Sequence, residues 1–431
     1  DGNPDVPTCS DCHGVHGIHD PRTAEFRLKS PDICARCHAD PARMGKYGIT
    51  ADVYDTYVAD FHGTTVELFS RQSPDAPSNK AVCYDCHGVH DIRSVNDPQS
   101  HVIKANLVKT CQRCHPGADV SFIGAWIGHY RPSPEHNPIT YYVELFYRLA
   151  IPGILGFMLV LVLLDAQKRI RRRREAKAHA PAASDRVFPR FTGLDRVEHW
   201  LMVVSFTMLA VTGLPQKFAG HPIAEGTISF FGGIEMVRVL HHLFAVLLVL
   251  ETVLHLITVS YKILVRRVPL SMLPGLKDVR DFREWLRWTL GRDAPHPSFG
   301  RYGFEQKIEY WALLWGTVLM IITGFVLLVP IKATSILPGE IVPAAKAAHG
   351  YEAILAVLAV IVWHFYGVHL AHWNRAMVSG VLTEHEMHEA HAAELESLEQ
   401  EGPQHPQDDP GYAKRRRLSA WIQVSSKPSS M

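Results

Sequence analysis

The chain has 431 residues, 47% of them hydrophobic, and a formal net charge of +1. That length exceeds one ordinary core and implies two or more domains. A charge so near zero excludes the global basic field that draws nucleic acid. Positive charge is instead local and flanks apolar runs, as in membrane proteins. Residues 1–138 are polar and rich in His and Cys, residues 139–375 hold the long apolar runs, and residues 376–431 are charged again.

All eight cysteines fall in four C-x-x-C-H motifs: Cys9–His13, Cys34–His38, Cys83–His87 and Cys111–His115. In such a motif the thiols of Cys9 and Cys12, Cys34 and Cys37, Cys83 and Cys86, and Cys111 and Cys114 bond covalently to haem vinyl groups. His13, His38, His87 and His115 then become the proximal iron ligands. Disulfides, structural zinc or a redox dithiol are the competing readings. Four copies, each with His directly after the second Cys and no cysteine left over, disfavour all three. Four haem c groups are expected, on the periplasmic or exoplasmic side where such haem is attached. The chain begins in a polar stretch at Asp1, which implies that a leader was removed.

The four motifs form two repeats. CSDCHGVHGIH at 9–19 matches CYDCHGVHDI at 83–92, and each is followed by a plainer motif. Met44 is the only Met in residues 1–138, so at most one haem can be His/Met, and the other sixth ligands are expected from His outside the motifs. His ligation at both axial positions implies low potential. His16 and His90 share one place in the two repeats. His62 precedes Gly63, which would let a haem approach closely, and His129 lies just before the membrane. These four are the distal candidates, with His19, His101 and His136 in reserve. Residues 9–130 resemble the multihaem cytochromes c with paired C-x-x-C-H motifs, a family that includes membrane-anchored quinol dehydrogenases.

Five apolar runs are long enough to span a bilayer: roughly 141–164, 197–218, 237–263, 308–330 and 347–373. The first is followed by Lys168, Arg169 and Arg171–Arg174, a cytoplasmic stop-transfer signal under the positive-inside rule. With the haem motifs outside, Arg266 and Arg267 and the C-terminus fall inside, so basic loops and haem attachment give one orientation. Residues 278–290 read as an amphipathic helix on the membrane surface, anchored by Phe282, Trp285, Leu286 and Trp288.

Histidines inside spans are costly and usually functional. A b-type haem has no covalent link and needs two axial His from neighbouring helices. His349 and His364 are fifteen residues apart, about 22 Å along a helix and on one side of it, so one helix can serve two haems. Depth matching pairs His241 with His349 at the outer side and His199 with His364 at the inner side. His255, fourteen residues after His241, is an alternate inner ligand, and spacing does not choose between it and His199.

Residues 190–380 resemble the cytochrome b subunits of membrane-bound formate dehydrogenase and nickel–iron hydrogenase. The resemblance rests on Asp195–Trp200, Arg238–His241, Tyr302, Gln306, Lys307, Tyr310, Trp311, His349 and His364–Tyr366. It implies a four-helix bundle with two haem b, held by His199, His241, His349 and His364. The spacing of fifteen between the last two is one longer than the family's. The resemblance also implies a quinone or menaquinone site near the start of the fourth span, carried by Tyr302, Gln306 and Lys307.

The expected fold is mainly α: a small haem-packed exoplasmic tetrahaem cytochrome c domain (1–138) and a five-span transmembrane bundle. The bundle comprises an anchor helix with its basic stop-transfer (139–175), a cytoplasmic linker (176–190) and a four-helix di-haem b domain (191–382). A cytoplasmic tail (383–431) reads as a charged helix over 384–400. His385, His388 and His391 there are a metal motif or, more simply, a solvated face, and residues after Gly402 read as disordered. The expected function is transmembrane electron transfer between the quinone pool and exoplasmic redox partners, as a quinol:cytochrome c-type oxidoreductase of the bacterial inner membrane. The alternative is an anchor and electron relay for a catalytic oxidoreductase subunit in a multi-subunit complex.

Overall fold

The computed structural model describes residues 3–126, 128–175, 186–292, 297–371 and 373–400, apart from the side chains of 172–175. Most of the expected linker, the side chains of the last arginines of the basic run and the tail beyond Gln400 therefore lie outside what is described. Contacts divide the chain into two compact units. The first comprises Asp1–Ala150, Leu209–Leu243 and Leu319–Ile354. The second comprises Ile151–Met208, Phe244–Val318 and Leu355–Met431.

The five expected spans are all helices long and apolar enough to cross a membrane. They are Pro138–Glu175, Gly193–Lys217, Ile234–Leu264, Phe304–Leu328 and Ile341–Ala359, the last continuing as π-helix over Val360–His364 and Tyr366–Ala371. At most 17% of the most apolar window in any of them is buried by protein, so their apolar surface needs lipid to cover it. A π turn takes up one extra residue within a helix. The π segment ends its first stretch at His364 and so accommodates the fifteen-residue spacing from His349.

In the first unit the C-x-x-C-H region is built from short helices with local stop signals. Thr23 caps Ala24–His38 by accepting from Phe26 N–H, and Asp40 caps Pro41–Met44 through Ala42 and Arg43 N–H. The helices Cys9–His13 and Cys83–His87 both end on a glycine with positive φ, Gly14 at 80° and Gly88 at 86°. Only glycine turns there without strain, which is why both repeats read C-H-G-V-H. Gly63 has a different purpose from the one expected. A Cβ there would lie 2.0 Å from the Tyr57 carbonyl oxygen, so the glycine serves close backbone packing rather than haem approach.

In the second unit the amphipathic helix is Leu276–Thr289, but its expected lipid anchors face protein. Trp285 and Trp288 are 3% and 5% exposed. Trp285 packs with Leu161 and Phe304, flanked by Phe282, Leu286 and Trp363. The predicted anchors thus form a protein core, and Lys168 Nζ lies 5.2 Å over the Trp288 ring.

The tail departs from expectation too. Val381–Thr383 pairs antiparallel with Val187–Pro189, Phe188 opposite Leu382. The predicted helix over 384–400 is two, Glu384–Ala390 and Ala392–Gln400. They part at His391, which is 3% exposed with Nδ1 3.0 Å from the Gly300 carbonyl. Met387 and Leu395 are buried with Ala376 and Leu382. His385 and His388 are exposed as a solvated face would have them, only His391 is buried, and no cluster of three or more metal-binding side chains forms among the described residues.

Candidate functional site

Two imidazoles on opposite sides of one metal have a characteristic separation. A metal–nitrogen bond of about 2.0–2.1 Å, plus about 1.2 Å from nitrogen to ring centre, puts the two ring centres about 6.4 Å apart. Among the described residues, five pairs have this separation. In the first unit they are His13–His90 at 6.3 Å, His62–His115 at 6.2 Å, His87–His129 at 6.1 Å and His241–His349 at 6.3 Å. In the second unit His199–His364 stand at 6.5 Å. Three of the pairs join a C-x-x-C-H histidine to a distant one, and two join histidines of different spans.

Five of these ten rings are tethered at Nδ1, which leaves their Nε2 for iron. Thr212 Oγ1 is 3.0 Å from His241 Nδ1, and Thr323 Oγ1 is 2.9 Å from His349 Nδ1. Glu309 Oε1 is 2.5 Å from His364 Nδ1, and His199 Nδ1 is buried with no partner. In the C-x-x-C-H region Asp60 Oδ2 is 3.4 Å from His62 Nδ1, and Thr56 Oγ1 is 3.5 Å from His129 Nδ1. Burial pushes His129 down to about 4 and lowers His38, His87 and His115, which favours the neutral form that ligates. Space is also reserved at the membrane pair of the first unit, where a Cβ on Gly213 would lie 2.9 Å from His241 Cε1. The donors and their separation fit haem at all five places, and tethers support four of them. Bound haem supplies a one-electron ferric–ferrous couple.

Not every expected residue is brought to a site. His16 is exposed, and no described ring faces it, although His90 occupies the matching place in the other repeat. The symmetry fails because His129 already stands opposite His87. His38 has no facing imidazole among the described ring pairs. Met44, six residues later, is 6% exposed. Among the reserves, His101 Nε2 lies 3.4 Å from Asp91 and His136 stacks on Tyr130 at 4.9 Å.

The alternate ligand His255 is already engaged at both nitrogens. Nδ1 is 3.0 Å from Glu198 Oε2, and Nε2 is 3.0 Å from the Tyr310 hydroxyl. This leaves His199 as the partner of His364. The expected quinone residues are engaged as well. Gln306 Oε1 accepts from Gly303 N–H at the helix start. Lys307 Nζ pairs with Asp278 at 2.9 Å, both side chains 13% exposed. The Tyr302 ring lies 5.2 Å beneath the Arg190 guanidinium. These contacts fasten the start of the fourth span rather than open a pocket.

The tethers were invisible in the sequence. Thr212, Thr323 and Thr56 carry no motif, and they gain a role only when another helix presents a histidine. Glu309 had a usable signal, a carboxylate inside a span.

Comparison with known proteins agrees with this division. Residues 190–380 match the prokaryotic cytochrome b561 family, and residues 5–43 match the doubled CXXCH motif. The nitrate-inducible formate dehydrogenase cytochrome b556(Fdn) subunit of Escherichia coli K12 is 23% identical over 189 residues, 44% of this chain and 79% of that protein. The formate dehydrogenase cytochrome b556(fdo) subunit of the same organism is 25% identical over 201 residues, 45% of this chain and 85% of that protein. The chain therefore combines a paired CXXCH multihaem motif with a cytochrome b561-type membrane domain. It is a multi-span membrane cytochrome of the haem b and haem c types, with low-identity relatives among formate dehydrogenase cytochrome b subunits.

Proposed function

We propose that this chain carries electrons across the membrane between the quinone pool and an exoplasmic redox partner, using two haem b and four haem c. His199 with His364 and His241 with His349 hold the two b haems. Cys9, Cys12, Cys34, Cys37, Cys83, Cys86, Cys111 and Cys114 tether the c haems, with His13, His38, His87 and His115 as proximal ligands. His90, His129 and His62 complete three of them. The observation that carries this reading is the set of five imidazole pairs separated by 6.1–6.5 Å. The protein supplies ligation, tethering and an apolar surround, and the cofactors supply the redox chemistry.

The C-x-x-C-H region faces the exoplasm and the basic end of the first span faces the cytoplasm, as haem attachment and the positive-inside rule require. Quinol chemistry belongs near the His199–His364 site, and the hydrogen-bonded Glu198, His255 and Tyr310 provide polar groups there for a quinol proton. The purified chain alone, in lipid discs loaded with menaquinol, should show reduction of both b and c haem bands. If neither band responds to quinol while dithionite reduces both, quinol is not its donor.

The second reading is an anchor and relay for a catalytic subunit. It is favoured by the relatives, which are named as subunits of formate dehydrogenase. Co-purification of a dehydrogenase subunit from native membranes, with electrons entering only through it, would select that reading.

A further inference from the structure

Two basic side chains stand one helical turn before the histidines of the first unit's membrane pair. Arg238 is three residues before His241, and Lys346 is three residues before His349. Residues so spaced lie on one face of a helix. Both cations reach the same element, the helix Phe61–Gln72, whose second residue is His62. Arg238 Nη2 donates to Thr65 Oγ1 at 2.6 Å. Lys346 Nζ donates to the Ala59 carbonyl at 2.5 Å and lies 4.5 Å over the Phe61 ring.

The rest of that helix is fixed to the same part of the first unit. Leu68 is buried with Ile228 and Val237, and Arg71 pairs with Glu225 at 2.5 Å. The other ligand, His115, is held from its own side. Downstream of it, a Cβ on Gly117 would lie 3.3 Å from Ile331. A Cβ on Gly339 would lie 2.6 Å from the Gly124 Cα, so these backbones nearly touch. Both halves of the His62–His115 site are thus seated against the segments that flank His241 and His349. Among the described residues, no hydrogen bond or ion pair ties the His13–His90 segments to those helices.

We infer that the His62–His115 site is the port through which electrons pass between the His241–His349 site and the rest of the C-x-x-C-H array. Arg238 and Lys346 are the positioning residues that join the two sites. The inference rests on the proposal above that these pairs carry haem. With haem bound at both sites, one electron given up at His241–His349 would be taken up at His62–His115, so the transfer would balance with no bond formed or broken and no proton moved.

Contacts beyond the port give an order to the array. The Trp126 ring is 6.4 Å from His62 and 5.9 Å from His129, and so connects the port to the His87–His129 site. Arg27 Nη2 pairs with Asp85 at 2.7 Å and so joins the helix that carries Cys34 and Cys37 to the Cys83–Cys86 motif, which puts the Cys34–Cys37 site next. Arg36 Nη1 donates to the Asp11 carbonyl at 3.4 Å, and His90, which faces His13, stands three residues after His87, so the Cys9–Cys12 site adjoins both of these sites.

The test uses the full chain in lipid discs with menaquinol, following b and c haem bands separately by stopped flow. In the Cys111→Ser/Cys114→Ser variant, electrons should collect on the b haems, and the remaining c haems should reduce at least tenfold more slowly. His62→Met covers the case in which that variant does not fold. It keeps the haem but raises its potential, so electrons should stop there and onward reduction should slow by a similar factor. Remaining c haems that reduce at the parent rate in either variant overturn the inference. If the parent chain's b haems reduce and no c haem follows, the electron-transfer proposal itself fails.

Discussion

Replacing Glu309 by glutamine should raise the midpoint potential of the haem held by His199 and His364 and leave the haem held by His241 and His349 unmoved. The reason is an asymmetry in the tethers. His364 Nδ1 meets a carboxylate at 2.5 Å, whereas His241 and His349 meet threonine hydroxyls at 3.0 and 2.9 Å. A carboxylate acceptor makes the imidazole more basic and favours ferric iron. A hydrogen bond to a charged group contributes about 1.5–3 kcal/mol against about 0.5–1.5 kcal/mol for a neutral one. The mid-range difference, about 1.25 kcal/mol, is a factor of about eight in the ferric-to-ferrous ratio, or about 54 mV for a one-electron couple. A spectroelectrochemical titration resolving the two b haems would show the shift. Glu309→Asp, which keeps the charge, should stay near the parent potential. An unchanged or lowered potential in Glu309→Gln, with haem retained, would refute the tether argument.

Further outcomes follow from the same geometry. His255→Gln should keep both b haems in a pyridine haemochrome assay, because His255 bonds Glu198 and Tyr310; losing one would return it to the ligand set. His90→Ala should turn one c haem high-spin by magnetic circular dichroism while His16→Ala leaves that spectrum unaltered, and the opposite result would restore the repeat symmetry. Gly213→Val should displace His241 and cost most of one b haem per chain, since even a Cβ at that place lies 2.9 Å from the ring; full b-haem content in that variant would contradict the space argument.

Much of the site was legible because it is written in covalent or strongly periodic terms. The C-x-x-C-H motifs fix thiols and proximal histidine within five residues. Spans announce themselves by apolar length, and histidine inside a span is conspicuous. Partnership was harder to read, because it is nonlocal. His13 faces His90 from the other repeat, a pairing that no spacing encodes, and His16 was misjudged because the repeats are not used alike. Residues at element ends were misread when packing claimed them. Trp285 looked like a lipid anchor and is core, Lys307 looked like a ligand-binding cation and holds Asp278, and His391 looked solvated and is buried. In each case a residue type suited to two environments was assigned to the wrong one, and only the neighbouring chain decides.

The most direct measurement is a pyridine haemochrome count on the purified chain, repeated after replacing His349 by leucine. Four haem c and two haem b per chain are expected for the parent protein, falling to one haem b in the variant with haem c unchanged. An absence of b haem in the parent, or an undiminished two in His349→Leu, would mean that the membrane imidazole pairs do not hold iron.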